Sequence, residues 1–139
     1  MTASNSTNET AVVYTDGAAR GNPGPAGAGV YFVYQDEEKT FHKYLGEATN
    51  NQAEYEALIL ALEKAKDLGI TRLQAYADSE LMVRQINGQY KVKNPQLKVL
   101  FDQAKSLSKS LSWFRIEHVR REQNKDADLQ ANLAIDEAT

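Results

Sequence analysis

The hydrophobic period of the chain first changes near residue 50, and that change limits the folds open to it. Before it the apolar runs are short and β-prone: residues 11–15 (AVVYT) and 30–34 (VYFVY) are rich in β-branched and aromatic side chains. A polar turn at residues 35–38 then leads into a returning strand over 39–46. From Asn51 the spacing is helical. Ala53, Ala57, Leu58, Ala61, Leu62, Ala65 and Leu68 share one stripe, which predicts a helix over 51–68 that stops at Gly69. Strands and helices alternate from there: strand 73–77, helix 79–87 closed by Gly88, helix 95–108, strand 113–119 and helix 124–137. The order βββαβααβα predicts a mixed α/β fold, with an antiparallel meander extended into a five-stranded mixed sheet flanked by helices. Residues 17–29 hold five Gly and two Pro and read as a loop or sharp turn between the first two strands.

A chain of 139 residues suggests a single domain. Residues 1–10 (MTASNSTNET) are polar, lack periodicity and read as a disordered tail, leaving 11–139 as the folded domain. The tail contains two glycosylation-type triplets, but no apolar stretch precedes them to direct secretion, and no run is long enough to span a membrane. A cytoplasmic protein with no membrane association is therefore expected.

Charge is distributed unevenly. The net charge is −3, which by itself argues against a polyanionic partner. Yet residues 84–125 carry ten Lys or Arg against three Asp or Glu, and the segments on either side are acidic. Such asymmetry is compatible with anion binding and equally with a solvated, Lys-rich helix face.

The acids themselves are informative. Asp16 and Asp78 each stand where an apolar strand gives way to a loop or helix, and functional groups gather at strand C-termini in open parallel sheets. If the first and fourth strands are parallel neighbours, the two carboxylates lie together. Each also has a plain structural reading, Asp16 as a turn residue and Asp78 as a helix cap. Glu54 is next to Ala53 and four before Leu58, so it falls on the apolar stripe of its helix, where a carboxylate is costly unless paired or bound to a cation. The helix dipole offers a partial alternative account, since it favours acids in the first turn. Asp128 borders the stripe marked by Leu129 and Leu133, and Asp126 points about 200° away. With 0 Cys and 2 His, thiolate and multi-histidine metal sites drop out. Carboxylates alone favour hard cations, Mg²⁺ or Mn²⁺.

Four segments carry a resemblance: residues 14–24 (YTDGAARGNPG), 49–55 (TNNQAEY), 78–81 (DSEL) and 121–128 (REQNKDAD). In this order and spacing they resemble type 1 ribonuclease H, over roughly residues 12–135. The resemblance implies the ribonuclease-H-like fold and hydrolysis of the RNA strand of RNA–DNA hybrids with two Mg²⁺ or Mn²⁺ ions, leaving 5′-phosphate and 3′-hydroxyl ends. It implies Asp16, Glu54, Asp78 and Asp128 as the catalytic, metal-holding set, with Asp16 bridging both ions. It also implies substrate contacts at Gly17, Asn22, Thr49, Asn50, Asn51 and Glu80, with Thr49 where the family often grips a DNA phosphate. The sequence departs from many members in two places. The basic protrusion that serves as a substrate handle is reduced to residues 88–95. The loop before the last Asp lacks a mobile His, so Arg121 or Glu122 is expected to take over its part in product release. His42 and His118 read as strand residues without a catalytic role. A monomer with no obligate protein partner is expected. The competing readings are a non-cutting hybrid- or RNA-binding module of the same fold, a DNA-directed nuclease of the wider fold, and a structural domain with incidental carboxylates.

Overall fold

Glycine, which the sequence presents as a loop former, instead builds the centre of the sheet. In the computed structural model, which describes residues 9–139, strand β1 runs Thr10–Ala19 and β2 runs Gly24–Tyr34, so only residues 20–23 turn between them. The loop expected over 17–29 is therefore mostly strand. The cause is space. A Cβ on Gly29 would lie 2.2 Å from the carbonyl oxygen of Ala127 and one on Gly27 2.3 Å from that of Ala131. These glycines admit a helix backbone against the sheet rather than bending the chain. The expected tail over 1–10 lies outside the described residues as far as Asn8. Thr10 already belongs to β1, paired in register with Arg72.

The meander closes with β3 (Glu37–Ala48), joined to β2 by a tight turn in which Gln35 and Asp36 both have positive φ, 55° and 63°. That left-handed pair matches the twist of a two-residue hairpin. Helix α1 (Asn50–Asp67) follows, then β4 (Arg72–Ala77), α2 (Glu80–Ile86), α3 (Pro95–Lys109), β5 (Trp113–His118), a 3₁₀ turn (Arg121–Gln123) and α4 (Lys125–Ala138). The element order is the expected one, with ends shifted by one or a few residues outside the β1–β2 region. No helix among the described residues is long and apolar enough to cross a membrane.

The sheet order is β3-β2-β1-β4-β5, with β1 antiparallel to β2 and parallel to β4. The core lies between the sheet and α1, α2 and α3, where Val13, Val30, Phe32, Leu58, Leu62, Leu73 and Ile116 are buried. α4 covers the opposite face over β2, β1 and β3. α1 begins with a capping box: Thr49 Oγ1 accepts from the Gln52 amide at 3.1 Å, and Gln52 Oε1 accepts from the Thr49 amide at 2.9 Å. This fixes where the helix starts, and hence where Glu54 stands, one turn in.

Between α2 and α3 only residues 87–94 intervene, with no inserted helix. The basic protrusion is absent. Two members of the basic stretch are paired within their own helices, Arg84 with Glu80 and Lys98 with Asp102. A third, Lys105, donates to the Ile86 carbonyl at 3.2 Å.

Candidate active site

Parallel pairing of β1 with β4 sets Thr15 beside Ala77. The next residue in each segment is an aspartate, so Asp16 and Asp78 stand level where β4 ends; β1 does not end at Asp16 as expected but runs on to Ala19, paired with β2. Glu54 enters from α1. Its approach depends on Gly17: a Cβ there would lie 2.2 Å from the Ala53 carbonyl carbon, so any side chain would push the helix away. The Gly17 amide donates to Glu54 Oε1 at 3.2 Å, tying the helix to β1. Carboxylate oxygens of Asp16, Glu54 and Asp78 all lie within 4.8 Å of one another. Asp128, on the first turns of α4, lines the same cleft beside these three, and its proximity adds to the upward push on the Asp16 carboxyl. Asp128 is held in turn by Asn132, whose Nδ2 donates to its carbonyl at 3.0 Å and to its Oδ1 at 3.3 Å.

The electrostatics are those of a cation site. Burial first, then the negative charges of Glu54 and Asp78, push the Asp16 carboxyl up to about 10. Burial and the charge of Asp78 raise Glu54 to about 8, against the opposing pull of the Gly17 amide, Asp16 and the Arg121 charge. Three carboxylates at this separation cannot all ionise without a balancing positive charge, and a divalent cation supplies one. The donor set is oxygen only, which suits a hard metal ion.

These groups line an open cleft of about 520 Å³, together with Gly17, Ala18, Ala19, Asn50, Asn51, Ser79 and Arg121. A smaller pocket of about 190 Å³ lies alongside, at the N-terminus of α1, formed by Asn22, Thr49, Asn51, Gln52, Asn94, Gln96 and Leu97. Asn22 Oδ1 accepts from the Asn50 amide at 3.0 Å, which joins the β1–β2 turn to the helix start. Of the residues singled out in the sequence, the four acids, Gly17, Asn50, Asn51 and Arg121 thus share one cleft, and Asn22 and Thr49 share the pocket beside it. Glu80 lines neither. It is exposed and its carboxylate is bound by Arg84 at 2.9 Å. Glu122 is exposed in the 3₁₀ turn. His118 ends β5, whereas His42 bridges two elements: Nδ1 meets Gln130 Oε1 at 3.0 Å and Nε2 meets Glu137 Oε1 at 2.9 Å, both on α4.

Sequence reasoning passed over Asn124. It is fully buried, and its Nδ2 reaches both the Thr15 carbonyl at 2.9 Å and Asp78 Oδ2 at 3.1 Å. An asparagine before a helix is so common that nothing local distinguishes it. The lining residues Asn94 and Gln96 also gave no signal, because they come from the start of α3, where Gln96 meets Gln52 across 44 residues of sequence.

The protein-family description "Reverse transcriptase-like" matches residues 14–134. An RNase H1 from the halophilic archaeon Halobacterium salinarum is similar at 40% identity, with a TM-score of 0.89 over 93% of this chain and 99% of that one. The chain belongs to the type 1 ribonuclease H family. A second ribonuclease H1, LC11, solved in complex with an RNA/DNA hybrid, is 43% identical with a TM-score of 0.84, covering 92% of this chain and 98% of that one. The "Bifunctional protein Rv2228c" of Mycobacterium tuberculosis is 42% identical over 130 residues, which span 91% of this chain and 36% of the relative. The chain thus spans about a third of the length of the mycobacterial relatives it matches.

Proposed function

We propose that this ribonuclease H is a metal-dependent endonuclease that hydrolyses the RNA strand of RNA–DNA hybrids, leaving 5′-phosphate and 3′-hydroxyl ends. The observation that carries the reading is the convergence of Asp16, Glu54, Asp78 and Asp128 on one open cleft. Asp16, Glu54, Asp78 and Asp128 would hold two Mg²⁺ or Mn²⁺ ions, and such a pair stabilises the attacking and leaving oxygens of an in-line phosphoryl displacement. The remaining work falls to the chain. Asp16, buried within β1, is acted on by Glu54, Asp78 and Asp128 alike and is the natural shared ligand. Glu54 is kept in position by the Gly17 amide. Gly17, Asn50 and Asn51 border the acids, and the two asparagine side chains offer amide groups to the 2′-hydroxyls and minor-groove edges that distinguish a hybrid from duplex DNA.

The neighbouring pocket suits a phosphate of the DNA strand. It opens at the α1 N-terminus, where the helix dipole favours an anion, and Asn22, Thr49 and Asn94 add polar side chains. Arg121 lines the cleft with its charge near Glu54, a placement suited to drawing the product phosphate away. Glu122, exposed beside it, is the weaker candidate for that role. Glu80 would meet the hybrid only after leaving Arg84, an exchange of one exposed ion pair that costs little. The chain is read as acting as a monomer.

The reading is tested by offering labelled RNA–DNA hybrid, duplex DNA and duplex RNA in parallel with Mg²⁺ or Mn²⁺. Cleavage confined to the RNA strand of the hybrid is expected. Cleavage of duplex DNA, or binding of the hybrid without metal-dependent cutting, would overturn it.

A further inference from the structure

Asn124 occupies a place where an asparagine is a poor choice for folding alone. Its side chain is fully buried, as is that of Thr15, and both Asn124 Oδ1 and Thr15 Oγ1 lack a hydrogen-bond partner. A buried polar atom without a partner costs about 1–3 kcal/mol. An apolar residue of similar size would avoid that cost at the Asn124 carbonyl. Nor does the side chain cap α4, since it makes no capping hydrogen bond. What it does instead is spend both Nδ2 hydrogens on the acid cluster. One goes to the carbonyl of Thr15, the residue before Asp16, and the other to Asp78 Oδ2. Its backbone carbonyl accepts from the amide of Asp128 at 3.1 Å. A single residue therefore touches β1 just before Asp16, the acid that follows β4 and the first turn of α4, which are three of the four supports of the acids.

The chemistry of the donor matters. A Lys or Arg at this point would orient Asp78 but would bring a positive charge that competes with a cation for the same carboxylate. An amide N–H fixes one oxygen of Asp78 and adds no charge. We propose that Asn124 is a positioning residue for cation binding, holding Asp78 Oδ2 and the β1 backbone at Thr15 so that the free face of Asp78 points into the cleft beside Asp16 and Glu54. The inference rests on the reading of Asp78 as a metal ligand.

The test is calorimetric titration of Mn²⁺ into the wild type, Asn124→Ala and a destabilised core control, Val30→Ala. All are measured at a temperature where circular dichroism shows them folded. Loss of an outer partner of a ligand typically weakens metal affinity 10–100-fold. Asn124→Ala is expected to lose affinity on that scale, while Val30→Ala binds like the wild type. Equal Mn²⁺ affinity in wild type and Asn124→Ala overturns the proposal. Should Asn124→Ala fail to fold, the wild type decides. The Nδ2 amide resonances of Asn124 are expected to move on Mg²⁺ titration with the midpoint seen by calorimetry, and resonances that stay fixed overturn the proposal. A wild type that binds neither ion defeats the metal reading itself, and the proposal with it. Binding that is indifferent to Asn124 defeats only the positioning role.

Discussion

Replacing Asp16 with asparagine should make the metal-free protein more stable. At pH 7 an unfolded chain leaves this carboxyl ionised, with an ordinary value of 3.8, whereas in the folded protein it is pushed up to about 10. The folded protein therefore binds a proton that the unfolded chain does not, and stability falls as pH rises between those two values. From 3.8 to pH 7 is a little over three pH units, and at 1.36 kcal/mol per unit the cost is about 4 kcal/mol. Glu54 shares the same repulsion and titrates with Asp16, so part of this persists when either group is neutralised. A gain of roughly 2–4 kcal/mol for Asp16→Asn is expected at pH 7 in EDTA, read from urea unfolding. The wild type should lose stability steadily from pH 5 to pH 9, and the variant less steeply. Millimolar Mg²⁺ should restore the wild type much more than the variant, because only a bound ligand shifts the unfolding equilibrium. A variant no more stable than the wild type in EDTA, with parallel pH dependence, would refute the argument that repulsion among these carboxylates is held in the fold.

Three further outcomes follow from packing and hydrogen bonding. Gly29→Ala places a Cβ 2.2 Å from the Ala127 carbonyl oxygen and should displace α4, lowering stability by about 1–3 kcal/mol in urea unfolding. Thr49→Ala removes half of the α1 capping box and should cost about 1 kcal/mol in the same assay. The hydrogen bonds to Gln130 and Glu137 raise the His42 pKa, so their contribution is fully present below the unfolded value of 6.5 and is lost as pH rises through the folded one. His42→Ala should accordingly cost stability at pH 5.5, on the order of 0.2–1 kcal/mol for so exposed a contact, and the difference from wild type should shrink toward pH 9.

Element types and order were legible because the period switch is a backbone property: alternation marks a half-buried strand and a 3.6-residue stripe a helix. Glu54 was legible for the same reason, as a carboxylate on an apolar stripe. The strand end before Asp78 was legible as a position, whereas β1 runs past Asp16 to Ala19, and the meeting of the two acids needed the parallel register. The glycines of β1 and β2 misled because their reason lies in another part of the chain: Gly29 serves Ala127, and Gly17 serves Ala53. Local composition reports only that the backbone is unhindered, whether for a turn or for a close neighbour. Asn124 was invisible on similar grounds, since it draws its importance from partners more than forty residues away in sequence. The Glu80–Arg84 pair is different: it was missed, although its i,i+4 spacing on the expected helix is a local signal.

The most direct test of the cleft as a catalytic centre is cleavage of a labelled RNA–DNA hybrid with Mg²⁺ by the wild type and by Asp16→Asn. The wild type should cut the RNA strand, and cutting should stop when EDTA is added. Asp16→Asn should remain folded and cut nothing measurable. An Asp16→Asn protein with wild-type activity would contradict the account.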